Sequence, residues 1–384
     1  MPINYLDLGP QIEDYCRQAA ESLNDRGKQT VKALDLLRQF AGEIAAGKHE
    51  DLSALDSKAV ADRCARPDAE SVCDHFYTTS ENRYNLLASD GSQITSTHHD
   101  ALPISLINIA TVFYKPESPT APDITVSSEF LKDDKGILRL ETVSENEINT
   151  TRDVRELEAL AQWDGQPDAQ LILMGDGPLE LFREPTGGPA HERLFQRYLA
   201  ALQTICGNGG IAAGYTDKPR ARLVIRMLEL IYPQKTGDAL TAITDANLFS
   251  EMLPPGARSA LFELNFPAAD AYGGPISLRF FYLNVGRKDN PWIVRVETTA
   301  SASETNGHID LLHKAILLQC ALSGTRPYPY VLHRAHEEAV VRFADRDEVT
   351  RWISSRLLRL GTAVPLDSHK SSLKGLETRT RMER

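Results

Sequence analysis

Across 384 residues the chain carries 42 basic and 53 acidic side chains, for a net charge of −11. At roughly 150 residues per domain, that length sets an expectation of two or three domains or one large elaborated one. The negative charge excludes a general nucleic-acid-coating role, because such binders draw their affinity from a basic surface that displaces counterions. No apolar run, Ile104 to Tyr114 included, approaches the roughly 20 residues of a membrane-spanning helix. The opening MPINYLDLGPQIEDYC lacks the basic-then-apolar order of a targeting signal, so a cytoplasmic protein with no membrane association is expected. The five cysteines, Cys16, Cys64, Cys73, Cys206 and Cys320, include no C-x-x-C pair and read as reduced thiols.

In chain order, apolar residues recur at three- and four-residue spacing from Gln11 to Leu23 and from Gln29 to Ala46. They predict a helical arm over residues 1–80, whose apolar face packs on the main body or a second subunit. At Tyr84 the character changes. YNLLAS reads as a strand that breaks into a turn at Asp90, Gly91 and Ser92. Ile104 to Tyr114 and Asp123 to Leu131 then suit further strands of a meander. A helix is expected from about Asn146 to Trp163, a buried strand in LILMGDG ending at Asp176, and a helix from about Glu192 to Ile205. Beyond these, GGIAAGYT, Leu261 to Phe266, Ile276 to Val285 and Trp292 to Thr298 read as strands. Arg222 to Tyr232, Ile309 to Leu322, Arg334 to Phe343 and Asp347 to Leu360 read as helices. Strands mixed with helices on this scale imply an α/β domain over residues 81–362, followed by a basic tail, 363–384, whose composition is that of a disordered segment.

Two aspartates, Asp90 in LLASDGSQI and Asp176 in LILMGDGPL, each follow an apolar strand and precede a glycine. A single Asp-Gly is more often a turn than a site. Two after buried strands suit a pair of carboxylates held rigidly for a hard cation, since magnesium and manganese take oxygen ligands. Such a cation site needs a third carboxylate and often a histidine. The sequence offers Glu156 or Glu158 in RDVRELEAL, and His336 in HRAHEEAVV. Arg152 with Glu156 is equally read as a plain i,i+4 ion pair.

The ordered blocks LLASDGSQI, SLINIATVFY, R-x-x-x-E-L, LILMGDGPL, GYTDKPRARLVIR and RPYPYVLHRAHEEAVVRFADRDEV resemble the NurA family of DNA-end-processing nucleases, from about Tyr84 to Val349. The resemblance implies a ribonuclease H-like mixed-sheet core between the helical N-terminal arm and C-terminal helices. It implies a manganese-dependent deoxyribonuclease, with magnesium as a substitute ion. By resemblance such an enzyme is a homodimer with 5'-3' exonuclease and single-strand endonuclease action, processing DNA ends in repair with a HerA-type hexameric translocase. Carried over by position, Asp90, Asp176, Glu156 and His336 are the metal-site residues and Tyr328 joins them in catalysis. Lys218, Arg222 and His99 are the expected substrate contacts. The chain departs from the family pattern at Ala110, where glycine is common, and in GDGPL, where a plain DGSL is common. The competing readings are a non-catalytic docking subunit of a translocase and a hydrolase of small phosphoesters.

Overall fold

The computed structural model describes residues 4–48, 52, 55, 63–68, 70–79, 83–95, 104–132, 136–139, 143–181, 188–236, 240–324 and 326–362. His99 and the basic tail 363–384 lie outside the described residues. The elements in chain order are α1 (Tyr5–Ala45), β1 (Cys64–Pro67), β2 (Tyr84–Ile94), β3 (Leu106–Tyr114), β4 (Asp123–Phe130), α2 (Glu145–Ala161) and β5 (Gln170–Asp176). They continue with α3 (Pro189–Gly207), β6 (Ile211–Thr216), α4 (Leu223–Ile231), α5 (Pro233–Thr236), α6 (Asp245–Met252), β7 (Phe262–Asn265), β8 (Leu278–Asn284) and β9 (Ile293–Thr299). The last four are α7 (Ala300–Glu304), α8 (His308–Leu322), α9 (Tyr330–Ala339) and α10 (Phe343–Arg359).

The strands form a mixed sheet in the order β1-β7-β8-β9-β6-β5-β2-β3-β4. The chain divides into two compact units. One comprises Met1–Glu81, Gly177–Leu179 and Ala213–Tyr328, the other Asn82–Asp176, Glu180–Ala212 and Pro329–Arg384. In the second unit β2, β3 and β4 are an antiparallel meander, and β5 joins the other side of β2 in parallel. A meander whose first strand also receives the next one in parallel, after a helical crossover, is the ribonuclease H-like arrangement. The crossover helix α2 is capped by Ser144, whose hydroxyl accepts from the Glu147 amide, and Glu145 and Glu147 complement its positive end. It buries Ile148, Val154, Leu157 and Leu160 on one face. α3 starts with Pro189 in its first turn and buries Phe195, Tyr198, Leu199, Leu202, Ile205 and Cys206, the spacing of a core-facing helix.

Three local expectations are corrected. The N-terminal arm is one continuous helix, not two, and only its second half is buried, through Leu34, Leu36, Leu37 and Phe40. The segment NDRGK interrupts the apolar pattern without breaking the backbone, because a lone glycine costs a solvated helix only about 1 kcal/mol. The helix expected from Arg334 to Phe343 instead ends at Ala339, and Arg342 is the N-cap of α10. Finally, β2 does not turn at Asp90-Gly91. It runs on to Ile94, with Asp90 opposite Ala110 and Gly91 opposite Ile109 in an unbroken ladder.

Candidate active site

The unbroken β2 explains its own DGSQI segment. Side chains alternate across a strand, and each residue from Ser89 to Ile94 has a task on its face. Towards α2, the Ser89 hydroxyl donates to the Glu156 carbonyl (3.0 Å), and the Gln93 side-chain oxygen accepts from Arg152 (3.2 Å). Gly91 lies under the same helix. A Cβ there would stand 2.7 Å from Glu156 Oε1 and 2.8 Å from both Arg152 Cγ and Ile109 Cδ1. On the other face Asp90 meets His336, Ser92 anchors the end of α9, and Ile94 packs with Leu106 against Val341, Val349 and Ile353.

The parallel register fixes the pair of aspartates. The last β2–β5 partners are Ser89 and Gly175, so Asp90 and Asp176 stand one residue beyond, on neighbouring strands roughly 4.8 Å apart and on the same face. β5 ends there, with Gly177 at φ 120°, a conformation open to glycine. β2 continues alone on that side, and the edge left free is where the carboxylates collect.

His336 arrives from α9. Its Nδ1 donates to Asp90 Oδ2 at 2.7 Å, and the ring is largely exposed. The helix end beneath it is tied down at one carbonyl. Ala339 O accepts from Ser92 Oγ and from Asn108 Nδ2 (2.8 Å), and the Val341 amide donates back to Ser92 Oγ (3.1 Å).

Glu156 lies over Gly91, within electrostatic reach of Asp90 and Asp176. Its carboxyl is pushed well above the usual carboxylate range, first by burial and then by repulsion from Asp153. The Arg152 charge opposes this, and Asp90 and Asp176 add to it. Arg152 Nε stands 3.2 Å from Glu156 Oε1, so the i,i+4 ion pair read from the sequence does form. Glu158 faces elsewhere. Despite burial, hydrogen bonds and charge from Arg197, then Arg155, hold it below the ordinary range (Arg197 Nη2 to Oε2, 2.7 Å). Of the two glutamates, Glu156 is the one that feels the charges of Asp90 and Asp176, and Glu158 ties α2 to α3.

Among the described residues no three His, Cys, Asp or Glu side chains form a ready metal cage. Asp90 is engaged by His336 and Glu156 by Arg152. The donor chemistry nonetheless fits a hard divalent cation. Burial first, then the Asp153 charge, with smaller contributions from Asp90 and Asp176, favours a proton on Glu156, and a bound cation would relieve that condition.

The remaining expected residues, Lys218, Arg222 and Tyr328, belong to the other compact unit. Lys218 follows the end of β6 with its Nζ 4.1 Å from the centre of the Trp292 ring. Tyr328 sets its ring edge-on to Tyr215 at 5.4 Å. Arg222 spends its guanidinium inside the fold, on Glu229 (2.6 Å) and the carbonyls of Leu240 and Ile243. Sequence reasoning missed the supporting roles of Gly91, Ser92 and Gln93. The signal was present in the strand's two-residue alternation, had the segment been read as strand and not as turn.

The second unit thus joins a ribonuclease H-like strand arrangement to aspartates at the neighbouring positions where β5 ends and β2 runs on. The NurA domain matches residues 84–341, and the chain belongs to this nuclease family. No curated protein matches the chain. Among solved structures it is similar to the crystal structure of LC9-RNase H1, a type 1 RNase H with the type 2 active-site motif, at 9% identity and a TM-score of 0.23. That alignment covers 36% of this chain and 64% of the other. Among the described residues no helix is long and apolar enough to cross a membrane.

Proposed function

We propose that the protein is a metal-dependent deoxyribonuclease that cuts phosphodiesters at the β2–β5 edge, using manganese or magnesium. The observation that carries this reading is the register. Asp90 and Asp176 stand one residue past the last β2–β5 pair, with Glu156 over Gly91 within electrostatic reach of both. These three carboxylates would hold the ion. When bound, it supplies positive charge at the scissile phosphate and lowers the pKa of the attacking water. His336 holds Asp90 in one orientation through Nδ1 and leaves Nε2 to exchange a proton with the substrate. By family resemblance, Lys218 and Tyr328 would meet backbone phosphate and support charge on its oxygens. The wider reading, by family, is 5'-3' exonuclease and single-strand endonuclease action by a cytoplasmic homodimer on DNA ends, alongside a HerA-type translocase.

The test is purified protein with labelled linear and circular single-stranded DNA, in manganese, magnesium or chelator, beside Asp90→Asn and Asp176→Asn. Metal-dependent loss of linear DNA alone supports an exonuclease, and loss of both an endonuclease as well. Cleavage that survives either substitution, or no cleavage of any substrate, overturns the reading. Digestion of a small phosphate ester alone moves it to the small-phosphoester class.

A further inference from the structure

Lys218 is the one non-glycine position among the described residues with positive φ, at 44°. An L side chain carries strain there, and such strain persists only where the surroundings enforce it. The surroundings are three contacts deep. Lys218 Nζ lies over the Trp292 indole, 4.1 Å from the ring centre. The indole Nε1–H donates to Oδ1 of Asp217, the residue before the lysine, at 2.7 Å. The Trp292 amide in turn donates to Asn284 Oδ1 (3.1 Å), which also accepts from Gly286 N (3.0 Å). Gly286 completes the brace. A Cβ there would meet Trp292 N at 2.4 Å and Asn290 O at 2.5 Å, so the β8–β9 hairpin closes tightly beneath the tryptophan.

A lysine normally leaves its ammonium free in water, where fixing it costs side-chain entropy at the moment of binding. Here that ordering is already done, on an exposed loop, and the hairpin that carries Trp292 also exposes Arg287, Lys288 and Asp289. In a protein of net charge −11, the few cations that are placed in advance dominate any hold on a phosphate backbone.

We propose that Trp292, anchored by Asp217, is a positioning residue that holds Lys218 Nζ as a preformed contact for a phosphate of single-stranded DNA. The inference rests on the nuclease reading only for the choice of DNA as ligand. The test is anisotropy of a fluorescein-labelled oligothymidylate with the full chain in EDTA, across a salt series, so that binding is read without cleavage. Lys218→Met should lower the slope of log affinity against log salt by about 0.7, the share of one single-strand phosphate. Trp292→Leu should weaken binding about two- to fivefold and lower the slope in the same direction. Trp292→Phe, which keeps a ring under the ammonium, should lose less. The double variant Lys218→Met/Trp292→Leu should bind no worse than Lys218→Met alone. Unchanged affinity and slope in a folded Trp292→Leu, or additive losses in the double variant, overturn the proposal. If Trp292→Leu fails to fold, photocrosslinking of the wild-type chain to a bromodeoxyuridine oligonucleotide decides. Adducts within residues 217–220 or 286–292 support it, and adducts elsewhere alone overturn it. A chain that shows these salt slopes but cuts no DNA with any metal removes the nuclease reading and leaves this one standing.

Discussion

His336 Nδ1 and Asp90 Oδ2 lie 246 residues apart in sequence and 2.7 Å apart in space. The bond joins α9 to β2 directly at the carboxylate pair. It is backed by the Ser92 and Asn108 bonds to Ala339 O, which stop the helix end from drifting. Asp90→Asn removes the charge a hard cation requires and should lower cleavage on the order of a hundredfold or more. His336→Ala should cost a similar factor by removing both the orientation of Asp90 and the free imidazole nitrogen. Single-turnover cleavage beside thermal melts checks this. A melt lowered with cleavage within a few fold of wild type would reduce His336 to a packing residue.

The two glutamates of α2 predict opposite stability effects. Glu156 has a raised carboxyl in the folded state, so from about the unfolded value upward the folded chain binds more protons than the unfolded one, and stability falls as pH rises. Glu156→Gln should therefore abolish cleavage in manganese or magnesium and yet, at neutral pH in chelator, raise stability by something on the order of 1 kcal/mol. Glu158→Gln breaks the pairs with Arg197 and Arg155 and should lower stability by about 1 kcal/mol while cleavage stays within a few fold. Urea melts and a cleavage assay on the two variants read both signs, and the reverse pattern would move the site to Glu158.

Gly91→Ala tests the crossing point itself. Its backbone is ordinary strand, so the effect arises from the new methyl, 2.7 Å from Glu156 Oε1 and 2.8 Å from Ile109 Cδ1. Overpacking of this kind costs about 1–3 kcal/mol, and the flexible end that gives way is the Glu156 carboxylate. Cleavage should drop about tenfold or more with the circular dichroism spectrum unchanged. Wild-type kinetics in Gly91→Ala would mean that Glu156 has no need of its place over the strand.

The sheet was legible where burial imposes a pattern. β3, β5, β8 and β9 are apolar runs bounded by turn residues, and the expected ranges lie within a few residues of the observed ones. The site was harder to read, because its geometry comes from register. Sequence shows Asp90 and Asp176, but only the parallel pairing of Ser89 with Gly175 puts them side by side. The Asp-Gly at 90–91 looked like a turn because glycine is the usual turn residue. Here the missing side chain makes room for Glu156 instead, a tertiary reason that local propensity cannot carry. Trp292 escaped for the same cause. Its partner, Asp217, is 75 residues away on another strand's end.

Acid should destabilise the chain through one buried imidazole. His313 is fully buried on α8, with Nε2–H donating to Gly256 O at 2.9 Å and Nδ1 without a hydrogen-bond partner. Protonation would place a second N–H at Nδ1 with nothing to receive it, between the rings of Tyr77 and Phe281. Burial accordingly drives the pKa down to about 4, against the raising effect of the Gly256 bond. The sign follows from proton uptake. Between about 6.5 and about 4 the unfolded chain binds the proton and the folded chain does not. The contribution is therefore whole above pH 6.5, shrinks as pH falls through that window, and is level below it. Over those pH units the loss comes to about 3 kcal/mol. Carboxylates elsewhere also titrate in acid, so the measurement is a difference. Urea midpoints of wild type and His313→Gln at pH 7.5, 5.5 and 4.5 should converge as the pH drops, with the variant less stable at pH 7.5. Parallel curves with a constant gap across that range would show that His313 contributes packing alone and no proton linkage.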